Sequence, residues 1–413
     1  MTTFPGKNLG SYIPGSAVVI DPDTLTLGRT LNMNFGAQYE IARDTRLEVS
    51  YIGTNGHKLH DGTLTPYYSP TWATYSYYLN NGANLSAWVT DQASAAAAGV
   101  PYPYPGFVGH AYAAINLFPQ LYGGESNTNI TWAGSPIGQS TYNAMVAEVI
   151  TKHRGGLTFD FNYTLQSGHG NTQSAFVETG STNFQNYAFQ DPYAYKDYAR
   201  SPGYEKGWLK GYVMYELPIG RGKQFLSNQR LLEPIIGGWE ICSDHSYQTG
   251  YPFKAPLASS SAAGSMPGWN ILYANVAPHA NFRKTFTHLN EAWGGVSSGV
   301  PDPGSAFVDT TQFSDPAPGQ LGNAPYSFSN WKFYGTNSED ASFLKNQKFG
   351  ADGKYRLQLR AEFFDLFNRH HWAAPGGQNL FNTVGPIDGN TFGHIMSTTG
   401  QSRTGQLGAR FDF

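Results

Sequence analysis

Along much of this chain apolar and polar residues alternate one for one, in separate blocks. The most regular block is Lys354-Tyr-Arg-Leu-Gln-Leu-Arg-Ala-Glu-Phe-Phe364. Tyr355, Leu357, Leu359, Ala361 and Phe363 fall on one face; Arg356, Gln358, Arg360 and Glu362 fall on the other. A period of two over about ten residues predicts a β-strand with one apolar and one polar face. Asp365-Leu-Phe-Asn368 is expected to continue that strand. Another clean block sets Leu157, Phe159, Phe161, Tyr163 and Leu165 against Thr158, Asp160, Asn162, Thr164 and Gln166. Met33 to Ile41 and Leu47 to Tyr51 form a matched pair around Ala42-Arg-Asp-Thr45, which predicts a hairpin. Further strands are predicted at Tyr142–Lys152, Trp208–Leu217, Gly238–Phe253 and Asn330–Tyr334. The chain closes on Thr404 to Phe413, with Leu407, Ala409, Phe411 and Phe413 opposite Gln406, Arg410 and Asp412. About nine strands are expected in all.

The connections between these strands alternate in length. Turns at 42–45, 153–156, 218–223 and 350–353 are short, whereas 54–140, 167–203, 254–325 and the segment beyond Trp372 are long. A short helix is expected at Ala93–Gly99. Residues 1–28 read as loop, or as the remnant of an upstream segment, because Pro5-Gly6, Pro14-Gly15 and Asp21-Pro22 interrupt any pattern. Residues 29–413 read as one strand-bearing unit. Short turns on one side and long loops on the other are the organisation of antiparallel outer-membrane barrels. The fold class expected is therefore all-β: an antiparallel transmembrane β-barrel, present here as about nine strands of a larger barrel, with long extracellular loops. Phe159, Phe161, Leu357 and Leu359 should then face lipid, and Asp160, Asn162, Arg356 and Arg360 the interior.

Composition sharpens this picture. Only 13% of the residues are charged while 15% are aromatic, a balance that suits strands with aromatic girdles better than an ordinary globular surface. A net charge of -3 leaves no basic footprint for nucleic acid. The single cysteine, Cys242, excludes an internal disulfide and a thiolate cluster. No run of 18 apolar residues exists, so no transmembrane helix is predicted; a barrel would show none, since only alternate residues meet lipid. Met1-Thr-Thr-Phe-Pro-Gly-Lys-Asn8 lacks the basic and then apolar pattern of an export leader.

Several stretches carry a family resemblance. Ser140-Thr-Tyr-Asn-Ala144, Gly156–Thr164, Tyr215-Glu-Leu-Pro-Ile-Gly-Arg-Gly-Lys223, Gly238-Trp-Glu-Ile241 and Tyr247–Phe253 are among them. Arg360-Ala-Glu-Phe-Phe-Asp-Leu-Phe-Asn368, Phe392-Gly-His-Ile395 and the terminal Phe413 complete the set. In this order they resemble the barrel of TonB-dependent receptors of the Oar-like type, over about residues 30–413. The resemblance implies an outer-membrane location and a part in ligand binding and uptake. It implies outer-membrane lipid as the surroundings and the barrel assembly machinery as a partner of the last strand, which ends in Phe413. The TonB system would be engaged only through a plug that this chain does not contain, so the expectation is a C-terminal part of such a receptor. Barrels of that kind have about 22 strands.

Chemistry-bearing residues are sparse. His57-Lys-Leu-His60-Asp61 offers metal-ligand types but has no partner cluster in the sequence, so no metal is expected. His370-His371 reads as a solvated loop tip. Gly220-Arg-Gly-Lys223 lacks the frame of a phosphate loop, and no nucleophile elbow occurs. No catalytic residue and no cofactor is expected, and the chain reads as a non-enzyme. The ligand-binding candidates are the charged residues of the polar faces: Lys210, Glu216, Arg356, Arg360 and Glu362. The competing class is a secreted or surface-exposed β-rich carbohydrate-binding or adhesion protein, whose apolar faces would pack on one another instead of on lipid.

Overall fold

In the computed structural model the described residues are 17–20, 25–61, 70–117, 130–133, 135–170, 207–228, 232–250, 252–269, 272–281, 308–325, 327–350, 353–369, 371–372, 384–389, 392–395 and 398–413, with a few isolated positions. Each short connection closes a strand pair. β1 (Arg29–Ala42) and β2 (Thr45–Asp61) meet across Arg43-Asp44, with Asp44 at φ 61°. β3 (Ser135–Arg154) and β4 (Leu157–Gly170) meet across Gly155-Gly156, at φ 63° and 88°. Two consecutive positive φ values make the turn whose twist matches the strands, and glycine adopts them without steric cost. β5 (Gly207–Glu216) and β6 (Trp239–Gln248) are joined by residues 217–238. β7 (Thr336–Phe349), β8 (Tyr355–Phe364) and β9 (Thr404–Asp412) complete the series. The nine strands lie side by side in chain order, each antiparallel to the next, with β1 and β9 at the edges.

Five expectations change. β2 runs on to Asp61 although the chain from residue 54 reads as loop, because neighbours on both sides pair with it: Asn55 lies between Leu31 and Thr141. The seventh wall strand is Thr336–Phe349; most of the segment expected there lies in Ser327–Lys332, which pairs instead with Pro252–Lys254 away from the wall. β6 correspondingly stops at Gln248, not Phe253. Asp365–Asn368 does not continue β8 but turns back, with Asp365 and Asn368 both at φ 51°. Ala17–Ile20, inside the segment expected as loop, pairs in parallel with Ile130–Ala133.

Directly paired residues in an antiparallel sheet share a face. Tyr39, Leu47, Val149, Phe161, Gly211, His245 and Glu339 form one cross-strand row on one face. Glu40, Arg46, Ile150, Asp160, Tyr212, Asp244 and Asp340 form the next row, on the opposite face. Phe159, Phe161, Leu357 and Leu359 thus lie on the apolar side, and Asp160, Asn162, Arg356 and Arg360 on the polar side. Gly211 lets Phe161 reach His245 at a ring separation of 5.8 Å; a Cβ there would stand 2.2 Å from the Phe161 ring.

The apolar face carries large exposed side chains, among them Phe35, Met145, Phe343, Leu359 and Phe411. Neither buried hydrophobic cluster of the described residues draws on the middle of a wall strand, so among the described residues no second layer covers this face. An apolar patch of this extent is stable against lipid and not against water. At its short-turn end Phe349, Tyr355, Phe411 and Phe413 stack at centroid spacings of 5.8 to 6.1 Å, the aromatic belt that marks a membrane interface.

The described residues at the long-loop end are packed into two clusters. One cluster joins α1 (Trp72–Asn80) and α2 (Gln92–Ala98) through Tyr75, Leu85, Val89 and Phe107 to Met266 and Leu272 of a later loop. Asp91 caps α2: its carboxylate accepts the Ser94 N–H, which holds the carboxyl below its ordinary pKa, while the Ser94 hydroxyl accepts the Asp91 N–H. A second cluster centres on Phe253, which is fully buried with its ring 4.0 Å from that of Trp331 and close to Phe313 and Phe328.

Two outcomes are expected. Leu359→Arg places a charge at the middle of β8 on the apolar face and should destabilise the sheet in bilayers by about 2–4 kcal/mol; denaturant titration in lipid vesicles measures it, with Arg360→Leu as the milder comparison. Phe253→Ala should cost the cap about 3–5 kcal/mol through the cavity left beside Trp331. Limited proteolysis should then cut the long loops while the strands of the wall stay protected.

Candidate functional site

The polar face is a ladder of hydrogen-bonding and charged side chains that the alternation of each strand aims to one side. On β1 to β3, Gln38 donates to Glu48 at 2.7 Å and Arg46 reaches Glu148 at 3.3 Å. On β3 and β4, the Tyr142 hydroxyl donates to Gln166 at 2.7 Å. On β7 to β9, Arg356 and Gln358 both donate to Asn346, at 2.8 and 2.9 Å, and Gln406 donates to Glu362. Contacts this exposed contribute little each, about 0–1 kcal/mol for an ion pair. Their effect is to keep one face wettable along its whole width.

This face holds a cleft of about 420 Å³ across β4 to β7. Asp160, Asn162, Lys210, Tyr212, Asp244 and Asp340 line it. Asp244 is paired directly opposite Asp340, so two carboxylates face each other across the strands. Asp340 accepts the Asp365 N–H at 2.8 Å. One carboxylate oxygen of Asp160 is buried with no hydrogen-bond partner. Lys210 lies one row along, its ammonium 3.8 Å from the centre of the Trp208 ring, and the Trp208 indole donates to Ser246 at 3.4 Å. The cleft therefore offers three carboxylates and one ammonium, with a tyrosine and an asparagine between them. That set can hold cationic or hydroxyl-bearing groups by hydrogen bonds and charge. Among the described residues no group of three or more His, Cys, Asp or Glu has the arrangement of a metal site.

Of the five candidates from sequence, Lys210 lines the cleft. Glu216 stands at the short-turn end, where Lys223 pairs with it at 2.9 Å. Arg356, Arg360 and Glu362 are on β8, three strands from Lys210, or roughly 14 Å at ordinary strand spacing. Arg360 pairs with Glu362 at 3.5 Å. All five lie on the polar face, but the structure does not bring them to one point. Asp244 and Asp340 were not among them. The alternation of Cys242-Ser-Asp-His-Ser246 could have drawn attention to Asp244; Asp340 needed the correct position of β7.

The apolar face breaks its own pattern at the long-loop end of β6 and β7. Ser243 and His245 are joined there at 3.0 Å, and His245 and Tyr247 at 3.2 Å. Glu339, almost fully buried, is paired with Arg369 at 2.8 Å. Arg369 comes from the turn after β8, whose Leu366 N–H bonds the Glu339 carbonyl.

A single antiparallel sheet with one wettable face, one uncovered apolar face, short turns at one end and packed loops at the other is a wall segment of a membrane β-barrel. The family model of the outer membrane beta barrel domain matches residues 1–406, and the chain belongs to that family. Its place is the outer membrane. Among solved structures the chain is similar to the outer membrane transporter YddB from Escherichia coli, with 9% identity and a TM-score of 0.37. That likeness covers 97% of this chain and 34% of the transporter, so the chain spans about a third of the length of that protein. A search of curated proteins finds no match.

The facing carboxylates yield a further expected outcome. Like charges directly opposite each other weaken a strand pair by about 0.2–1 kcal/mol. Asp244→Asn should therefore raise the stability of the sheet by about that amount; equilibrium unfolding in detergent reports it.

Proposed function

We propose that this chain is part of a transport-type outer-membrane receptor that takes part in ligand binding and uptake in the manner of TonB-dependent receptors. The observation that carries the reading is the pairing of an uncovered apolar face with a continuous polar face that leads to packed long loops. In this reading lipid covers Phe35, Phe343 and Leu359, and the polar face lines the path of the ligand. The loop cap makes first contact with the ligand outside the cell. The cleft around Lys210, Asp244 and Asp340 is a station on that path. The last strand, ending in Phe413, is read by the barrel assembly machinery, and energy coupling reaches the polar face through a plug held against it. The role is binding and passage, not catalysis. A secreted sandwich would need a second layer over the apolar face, and the described residues supply none.

Single cysteines in a Cys242→Ser background test the reading in cells that make the whole receptor. A membrane-impermeant maleimide should label Tyr77→Cys on intact cells, and Lys223→Cys only after the outer membrane is permeabilised. Labelling of both positions on intact cells would reject the orientation. For energy coupling, the labelling rate of Lys210→Cys should change at least twofold when a protonophore collapses the inner-membrane gradient. An unchanged rate would reject coupled uptake while leaving the outer-membrane location standing.

A further inference from the structure

The cap carries an exposed aromatic platform that its own packing does not require. Trp88-Val89 pairs with Gly109-His110 as a two-residue antiparallel ladder, Trp88 opposite His110 and Val89 opposite Gly109. Val89 is fully buried in the first cap cluster. Alternation then turns Trp88, Thr90, Val108 and His110 to the other side, where Trp88 is 41% and Val108 46% exposed. Exposure on so small a ladder is not looseness. The His110 ring meets Trp88 edge to face at 4.9 Å and stacks on Tyr112 at 5.1 Å. The backbone beneath is tied by Ala111 N–H to the Ala87 carbonyl at 2.8 Å and by Tyr112 N–H to the Leu85 carbonyl at 2.9 Å. His110 Nδ1 lies 3.0 Å from the Ser86 carbonyl, which can only accept. In the neutral ring Nδ1 therefore carries the proton, and Nε2 is an acceptor.

The charge of the surroundings selects the partner. From Thr71 to Leu117 the sequence holds no Lys, Arg or Glu, and its only carboxylate is Asp91, which is engaged with Ser94 in the cap of α2. Such a surface has nothing for phosphates, sulfates or nucleic acid to pair with. It offers a fixed indole, the aliphatic Val108 and the exposed hydroxyl residues Ser86 and Thr90. The negative face of an aromatic ring attracts weakly positive C–H groups. A pyranose presents a flat patch of such C–H groups edged by neutral hydroxyls, so it matches both parts of this surface. An apolar peptide would leave the hydroxyl rim unused.

We infer that the Trp88–Val108–His110 face of the cap is a binding platform for neutral saccharides, with a sugar ring stacked on Trp88. The inference gives a ligand class to the proposed receptor and rests on the reading that the long loops face outward. The test is a binding measurement on the full chain folded in detergent micelles, so its failure leaves the transport reading untouched. Cellohexaose, xylohexaose, mannohexaose and chitohexaose are titrated while the indole resonance of Trp88, assigned by loss in Trp88→Tyr, is followed. A heparin hexasaccharide and an uncharged Gly/Ser hexapeptide serve as comparisons. At least one neutral hexasaccharide should shift the Trp88 resonance saturably and quench tryptophan fluorescence. Affinity should fall at least tenfold in Trp88→Ala, fall less than threefold in Trp88→Tyr, and stay unchanged in Tyr77→Ala, whose ring is exposed elsewhere on the cap. Trp88→Tyr keeps an aromatic ring, so its retained binding separates loss of the platform from loss of the fold. The inference is overturned if no neutral hexasaccharide moves the Trp88 resonance, if Trp88→Ala binds as the parent does, or if the heparin fragment or the peptide binds through Trp88 more tightly than every neutral sugar.

Discussion

The constraint on which this structure depends is that backbone N–H and C=O groups inside a bilayer have no water to bond, so each strand must be hydrogen-bonded to its neighbours. The nine strands answer it by pairing in chain order, so that the seven inner ones are bonded on both sides. Everything else follows the pairing. Because side chains alternate while the ladder does not, one ladder can present lipid with Phe and Leu and the interior with Asp, Asn and Lys. The same alternation gives the polar face a row of Asp160, Tyr212, Asp244 and Asp340, none of them neighbours in sequence.

The exception on the apolar face is held by its own chemistry. A buried Glu339 without a partner would be costly at such a place. The turn after β8 brings Arg369 to it, and the left-handed backbone of Asp365 and Asn368 is what reverses the chain far enough to do so. The Phe367 ring lies beside the guanidinium, 5.1 Å from its carbon, and gives it an apolar cover. Polar residues on the lipid side thus gather at the long-loop end of the sheet, while Lys345, toward the short-turn end of β7, is met by the Gly237 carbonyl.

The cap is built on a different principle from the wall. Its two clusters bury Tyr75, Phe107, Phe253 and Trp331 in the manner of a small soluble domain, drawing on segments far apart in sequence. Burial in an apolar surrounding holds the Tyr75 phenol well above its ordinary pKa, and its hydroxyl donates to the Pro267 carbonyl at 2.8 Å. Long loops packed this way can present a surface such as Trp88 in a fixed geometry, which a flexible loop could hold only at a cost in ordering entropy.

The sequence by itself determined the existence of about nine amphipathic strands, the division of each into an apolar and a polar side, and the alternation of short and long connections. It could do so because period two is a local property of the chain: Phe159 and Asp160 are assigned to opposite faces by adjacency alone. It also placed α2, whose alanine run and closing Gly99 are local signals. Tertiary structure decided what depends on partners. Thr336–Phe349 hides its strand pattern because Glu339 and Lys345 stand on the apolar side, where Arg369 and the Gly237 carbonyl, which come from elsewhere, meet them. Asn330–Tyr334 looks like wall, yet Trp331 goes to the cap because Phe253 is there to meet it. The cleft likewise needed register: Lys210 was visible as a polar-face residue, but its nearness to Asp160, Asp244 and Asp340 is fixed by which residues pair across four strands. A strand's period is written in its own residues; its neighbours are not.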